Sequence, residues 1–369
     1  MSPLNKTINA FVESVEKRIA PQFSNIAKRV ELNQQRVLDA FKEANVQEYH
    51  FAASTGYGYD DPGRDALEMA YKQVFGSEAA IVRPYITSGT HAIAACLFGV
   101  LRPGDKLVYI TGKPYDTLEE VIGLRGKVSG SLREFGITYE EVPIQNNPLD
   151  WEQISRTIDA KTKCIGIQRS RGYSTRPSFT VKEINEMVNF VKEIKQDVVV
   201  FVDNCYGEFV EVEEPTHHGV DLMAGSLIKN PGGGLAKSGG YIVGREALVE
   251  QVGTRLTAPG VGNEGGAMYG YTRDYFQGFF LAPHVVGEAL KGAVLTAAVL
   301  QQLNFSTSPA WDEERTDIIQ QIDFKTPELL VAFCEGIQMA SPVDSRVLPV
   351  PGPMPGYEDR VIMAAGTVV

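Results

Sequence analysis

Between residues 79 and 243, short apolar runs alternate with amphipathic segments, and this alternation confines the chain to one broad class of fold. Ala79 to Ile86, Lys106 to Ile110, Ile137 to Val142, Cys164 to Gln168, Val198 to Asp203, Asp221 to Leu227 and Gly240 to Val243 have strand-like composition. Thr90 to Leu101, Leu118 to Arg125, Trp151 to Ile158 and Val181 to Ile194 have helical spacing. Repeated β-α-β units predict an α/β domain, a mostly parallel sheet with helices on both faces. Ligands of such sheets bind at the carboxyl ends of strands, so the residues that follow each strand are the candidate site.

The flanks complete the division. Phe11, Val15, Ile19, Ile26, Val30, Leu32, Val37 and Phe41 recur among charges in residues 1–45, which predicts an N-terminal helical arm with Pro21 separating two helices. Such an arm caps the main domain or packs on another subunit. Residues 46–295 form the large domain, which includes most of an apolar helix over 283–303. Residues 296–369 form a smaller C-terminal α+β domain.

Composition excludes several roles. The net charge is −11 and no lysine- or arginine-rich block is present, so neither nucleic acid nor an anionic membrane is an expected partner. Cys96, Cys164, Cys205 and Cys334 lie far apart, which gives neither a disulfide framework nor a zinc site. His217 and His218 are adjacent and cannot share one face, so no metal site is expected. No run reads as a membrane span or a signal sequence, and a cytoplasmic location is the expectation.

Three strand ends carry chemistry. The first is followed by Thr87-Ser88-Gly89-Thr90-His91, where small residues open a helix and expose backbone N–H groups to an anion. Taken alone, an ordinary N-cap explains it as well. Asp203 ends an apolar strand, where a carboxylate costs free energy unless it is paired. Its simpler role is to cap the next turn. Lys229 stands at the end of the Asp221 to Leu227 run, ahead of Asn230-Pro231-Gly232-Gly233-Gly234, with Ser226 three residues before it. Most lysines are simply solvated. Taken in order on one sheet, however, phosphate cradle, acid and amine point to pyridoxal phosphate (PLP). Lys229 would hold the cofactor as a Schiff base, Asp203 would pair with the pyridine nitrogen, and Ser226 would add a hydroxyl to the phosphate. Tyr115 offers an aromatic face to stack on the ring. The glycine run before Lys237-Ser238 is no P-loop, because Pro231 and Ala236 stand where glycine is required.

The order TSGTHA, VDNCYGEF and GSLIKNPGGG resembles the fold-type-I PLP-dependent enzymes. With GYGYDDPGRDALE, IQRSRGYSTRPSFT, FFLAPHVVGEAL and SPVDSRVLPVPGPMPGYED, the chain is similar to the methionine γ-lyase-like family, often labelled aluminium-resistance proteins and related to the cystathionine lyases. The resemblance implies that Lys229 is the cofactor lysine and proton shuttle and that Asp203 pairs with the ring nitrogen. It further implies that Ser88, Gly89, Thr90 and Ser226 hold the phosphate and that Tyr115 stacks on the ring and assists leaving-group protonation. In related lyases a tyrosine and an arginine of a neighbouring subunit reach the phosphate, which points to Tyr57, Tyr59 and Arg64 here and to a homodimer or homotetramer. The family continues past the strand-like Arg360 to Val369 and carries a carboxylate-binding arginine there. The C-terminal domain is therefore expected to be incomplete, with Arg169, Arg171 and Arg346 as substitutes. The implied reaction is carbon–sulfur elimination on a sulfur-containing amino acid, from the β- or γ-carbon, giving a 2-oxo acid, ammonia and a thiol. The alternatives are aldol cleavage, transamination, or a PLP-binding stress-response protein without turnover.

Overall fold

The computed structural model describes residues 3–126, 129–144, 149–354 and 359–364. It opens with helix α1 (Pro3–Glu43) and α2 (Pro62–Val74), followed by β1 (Ala79–Arg83), α3 (Gly89–Val100), β2 (Lys106–Tyr109), α4 (Asp116–Ile122) and β3 (Thr138–Glu141). Next come α5 (Trp151–Thr157), β4 (Thr162–Gln168), α6 (Val181–Ile194), β5 (Val199–Asp203), β6 (Leu222–Ser226) and β7 (Gly240–Gly244). Helices α7 (Glu246–Leu256) and α8 (Thr272–Gln302) precede a hairpin of β8 (Ser306–Ser308) and β9 (Gln321–Asp323), and α9 (Pro327–Ala340) ends the series.

Strands β1 to β7 form one sheet in the order β1-β7-β6-β5-β4-β2-β3. All neighbours are parallel except at β7, which is antiparallel to both β1 and β6. The reversal has a local cause. The stretch from Leu227 to Gly239 contains only a short 3-10 turn, Asn230–Gly232, and a parallel return needs a crossover element. Four of the parallel crossings contain an α-helix; the β5-to-β6 crossing has only the 3-10 turn Pro215–His218 but is the longer connection, residues 204–221, and the predicted mostly parallel sheet is present.

The sheet buries apolar side chains on both faces, which is why β5 and β6 are buried at every position. Leu107, Cys164, Phe201, Leu222 and Ile242 pack with Ile93, Leu97 and Val252 in one core cluster. Elsewhere in the same unit, Phe279 stacks on Tyr71 at 3.9 Å between ring centroids and Phe75 stacks on Tyr241 at 5.0 Å. Pairs of this kind add about 0.5–1.5 kcal/mol each beyond simple burial.

Two expectations are corrected. First, α1 runs unbroken through Pro21. An internal proline costs about 3 kcal/mol, but Val15 and Ile19 before it and Ile26, Val37 and Ala40 after it are all buried. Each large apolar side chain gains about 1.5–3 kcal/mol from burial, enough to offset the lost hydrogen bond. Second, α8 contains a window long and apolar enough to cross a membrane by length and composition, but half of that window is buried inside the protein.

Contacts divide the chain into two compact units. One comprises Phe23–Lys291 and Arg315–Ile319; the other comprises Met1–Gln22, Gly292–Glu314 and Gln320–Val369. The second contains the β8–β9 hairpin and α9. Of the strand expected over 360–369, Val361 makes one antiparallel bridge to Gly352, and residues 365–369 lie outside the described residues.

Candidate active site

The strand register brings the candidate residues to one edge of the sheet. Gln168 of β4 pairs with Asp203 of β5, which in turn pairs with Ala224 of β6. Ser226, at the end of β6, pairs with Gly240 of β7, and Gly240 pairs with Arg83 of β1. The turn into α3 therefore starts level with the end of β6.

Ser88 caps α3, its hydroxyl accepting the His91 N–H at 3.0 Å. The Thr87 N–H donates to His91 Nδ1 at 3.1 Å, which closes the loop from the other side. Gly89 is buried against the neighbouring strand ends: a Cβ there would lie 3.3 Å from Cys205 Sγ and 3.3 Å from Ser226 Cβ. Ser226 is buried and its hydroxyl has no hydrogen-bond partner. A buried hydroxyl with no protein partner beside the first amides of a helix is suited to receive an anion.

Asp203 is buried, with Oδ1 accepting the Cys205 N–H at 3.1 Å. Burial pushes its carboxyl above the usual range, opposed by the Lys229 charge and by that N–H. Lys229 is partly buried, and its Nζ lies 4.1 Å from the centroid of the Tyr206 ring. Burial pulls the ammonium down, but the acidic groups of Cys205, Tyr206 and Asp203 outweigh it and hold Lys229 above the ordinary lysine range. Tyr115 completes the group. Its hydroxyl donates to Thr90 Oγ1 at 2.9 Å and its backbone N–H donates to Gln168 Oε1 at 3.0 Å. Burial, then the Asp203 charge, raises the phenol well above the usual tyrosine value. The arrangement can hold an anion at one end and a cationic nitrogen at the other, with a reactive amine within reach.

The remaining candidates fare differently. Arg169 is fully buried and engaged within the protein. Its guanidinium donates to Glu211 at 2.8 Å, Asn204 at 2.8 Å and Glu214 at 3.4 Å. Arg171 is buried on the loop after β4, where its N–H donates to Ser178 Oγ at 2.9 Å. Arg346 is exposed and belongs to the other compact unit. Tyr57 and Tyr59 stack at 5.8 Å and are exposed. Arg64 is buried and donates to the Gly58 carbonyl, between the two tyrosines in the chain, which ties their turn to α2.

Three residues at this edge were not singled out from sequence. Gln168 ties Tyr115 to the loop after β4, donating from Nε2 to the Ser170 carbonyl at 2.9 Å. Arg176 clamps the same loop through the Gln168 and Ser170 carbonyls, both at 2.8 Å. Burial lowers its guanidinium to about 10. Tyr206 lies under Lys229 because its backbone is left-handed, with φ +73°, and nothing in a tyrosine's identity signals that conformation. A strand-end glutamine is likewise an ordinary residue until its partner is known.

A family model described as methionine gamma-lyase matches residues 8–369. A Bacillus subtilis protein, the uncharacterised YnbB, is 56% identical over 96% of this chain and 85% of its own length. A solved structure from Listeria monocytogenes is described as a candidate cystathionine beta-lyase involved in aluminum resistance. It superposes with a TM-score of 0.96 at 56% identity, covering 98% of this chain and 89% of that one. A Clostridium novyi structure, described as a carbon-sulfur lyase involved in aluminum resistance, gives 0.94 at 44% identity over 98% and 86% of the two chains. The architecture is that of the fold-type-I enzymes.

Proposed function

The chain belongs to the methionine gamma-lyase family, and from that premise we propose that it is a PLP-dependent carbon–sulfur lyase acting on a sulfur-containing amino acid. The observation that carries the reading is the convergence of the Lys229 amine, the buried Asp203 carboxylate and the Gly89–Ser226 cradle on one edge of the sheet.

The residues fit the cofactor. The unpartnered Ser226 hydroxyl and the amides at the start of α3, with Gly89 and Thr90, would hold its phosphate. Asp203 would face the ring nitrogen, where a carboxylate kept buried is matched by a cationic partner. When bound, PLP supplies an aldehyde that links to amines and a protonated ring that withdraws electrons from the substrate α-carbon.

Lys229 would hold the cofactor covalently, release it to the incoming substrate amine, and then take the α-proton on Nζ. Asp203 would keep the ring nitrogen protonated. Tyr115 would cover the ring face, its hydroxyl oriented by Thr90, and it is the nearby acid for the departing sulfur. Arg169, Arg171, on the loop pinned by Ser178, and Arg346 remain the candidates for the substrate carboxylate. The exposed Tyr57–Tyr59 pair, on a turn held by Arg64, is the surface offered to a second copy, in keeping with a homo-oligomer. The products would be a 2-oxo acid, ammonia and a thiol.

The test has two arms. Purified protein with PLP should absorb in the visible, and borohydride should fix the label on Lys229. Methionine, cysteine, homocysteine and cystathionine are then screened for oxo acid and thiol together. A label on another lysine, or oxo acid without thiol from every substrate, would overturn the reading.

A further inference from the structure

The turn after β5 spends conformational energy at one side chain. Tyr206 sits at φ +73°, a region that costs a bulky L-residue of the order of 1–3 kcal/mol. This conformation directs the ring towards Lys229, whose Nζ lies 4.1 Å from the ring centroid, well inside cation–π range. Asp203 stands three residues before Tyr206, and the Lys229 charge acts on its carboxyl.

We propose that Tyr206 is a further catalytic residue: its ring forms the seat of the Lys229 amine whenever that amine is not covalently engaged, and it stabilises the charge the amine gains on accepting the substrate α-proton. The proposal rests on the lyase reading above. In that step the bond from the α-carbon to hydrogen breaks, its electron pair stays with carbon, and the proton forms a new bond to Nζ. The nitrogen thus passes from neutral to positive above the negative face of an aromatic ring. An attraction present only in the charged form lowers the barrier without strengthening substrate binding. Burial opposes the charged form of the amine, while Cys205, Tyr206 and Asp203 favour it. Tyr115 and Glu208 also feel its charge.

The experiment compares the full-length wild type with Tyr206→Phe, Tyr206→Leu and Tyr206→Asn. Asparagine is included because it tolerates a left-handed backbone. Each protein, freed of cofactor, is acylated across a pH series, and the Lys229 peptide is quantified by mass to give the titration midpoint of its amine. Losing the ring should lower the midpoint in the Leu and Asn variants by about half to one pH unit, a three- to tenfold effect, with Phe closer to wild type. In the loaded enzyme kcat should fall by a similar factor with KM unchanged. Midpoints in the Leu and Asn variants that superimpose on wild type, at an unchanged Tm, overturn the proposal even if acylation becomes faster, since greater access alone raises the rate. The two readings fail separately. If the wild type fixes no cofactor on Lys229, the lyase reading falls and the catalytic role with it, whereas a shifted midpoint still marks the contact.

Discussion

Replacing Glu208 with glutamine should stabilise the protein progressively as pH rises. Glu208 is fully buried behind the Lys229 loop. Its Oε1 accepts the Tyr241 hydroxyl at 2.7 Å, its Oε2 has no hydrogen-bond partner, and its backbone carbonyl accepts Asn230 Nδ2 at 2.9 Å. Burial pushes its carboxyl from 4.5 up to about 8. Between those values the folded chain keeps a proton that the unfolded chain releases. The folded state is therefore favoured at low pH and loses up to about 1.4 kcal/mol per pH unit as the pH rises through that window. Integrated from pH 5 to pH 8, the loss is about 3.5 kcal/mol. Glutamine cannot ionise, and its oxygen can still accept from Tyr241. Any fixed cost of the amide is the same at every pH and cancels in the difference. At about 2.1 cal/mol/K per residue of unfolding entropy, each kcal/mol moves the Tm of a chain this long by about 1.3 °C. The Tm gap between Glu208→Gln and wild type should therefore widen by about 4–5 °C from pH 5 to pH 8. Thermal melts of both proteins at half-unit pH steps measure it. Parallel curves would show that Glu208 ionises normally and would refute the reasoning.

Two further substitutions separate structural from cofactor-facing residues. Arg169→Ala should destabilise by about 3–5 kcal/mol by leaving Glu211 and Glu214 short of their buried partner. Melting reads that loss, and KM for the amino acid should not follow it. Gly89→Ala brings a methyl to 3.3 Å from both Cys205 Sγ and Ser226 Cβ. A PLP titration should show about tenfold weaker half-saturation, with the Tm of the cofactor-free protein nearly kept.

Much of the fold was legible because strand and helix impose different periods on apolar residues. Val199–Asp203 is buried at every position, and a run of β-branched residues with an acid at its end reads directly as a central strand meeting a site. Helix α6 has the bounds its spacing predicted, fixed by a Thr180–Glu183 capping box. The direction of β7 was not legible, since it depends on what the connection leaves room for rather than on the strand itself. Nor was the continuity of α1 through Pro21, where burial on both sides outweighs a local penalty.

The same division runs through the site. The sequence alone determined the chemical inventory at the sheet edge: an amine after β6, an acid at the end of β5, and small residues opening α3. Strand ends are local features, and a parallel sheet gathers them on one side. Only the tertiary structure decided which polar groups satisfy one another. Arg169 meets Glu211, Glu214 and Asn204, partners that its position in the sequence did not reveal. Tyr206 adopts a left-handed backbone and comes to lie under Lys229. Pairings of that kind join residues distant in sequence or conformations disfavoured locally, and the folded chain holds them because burial makes an unmatched charge or hydroxyl too costly to leave alone.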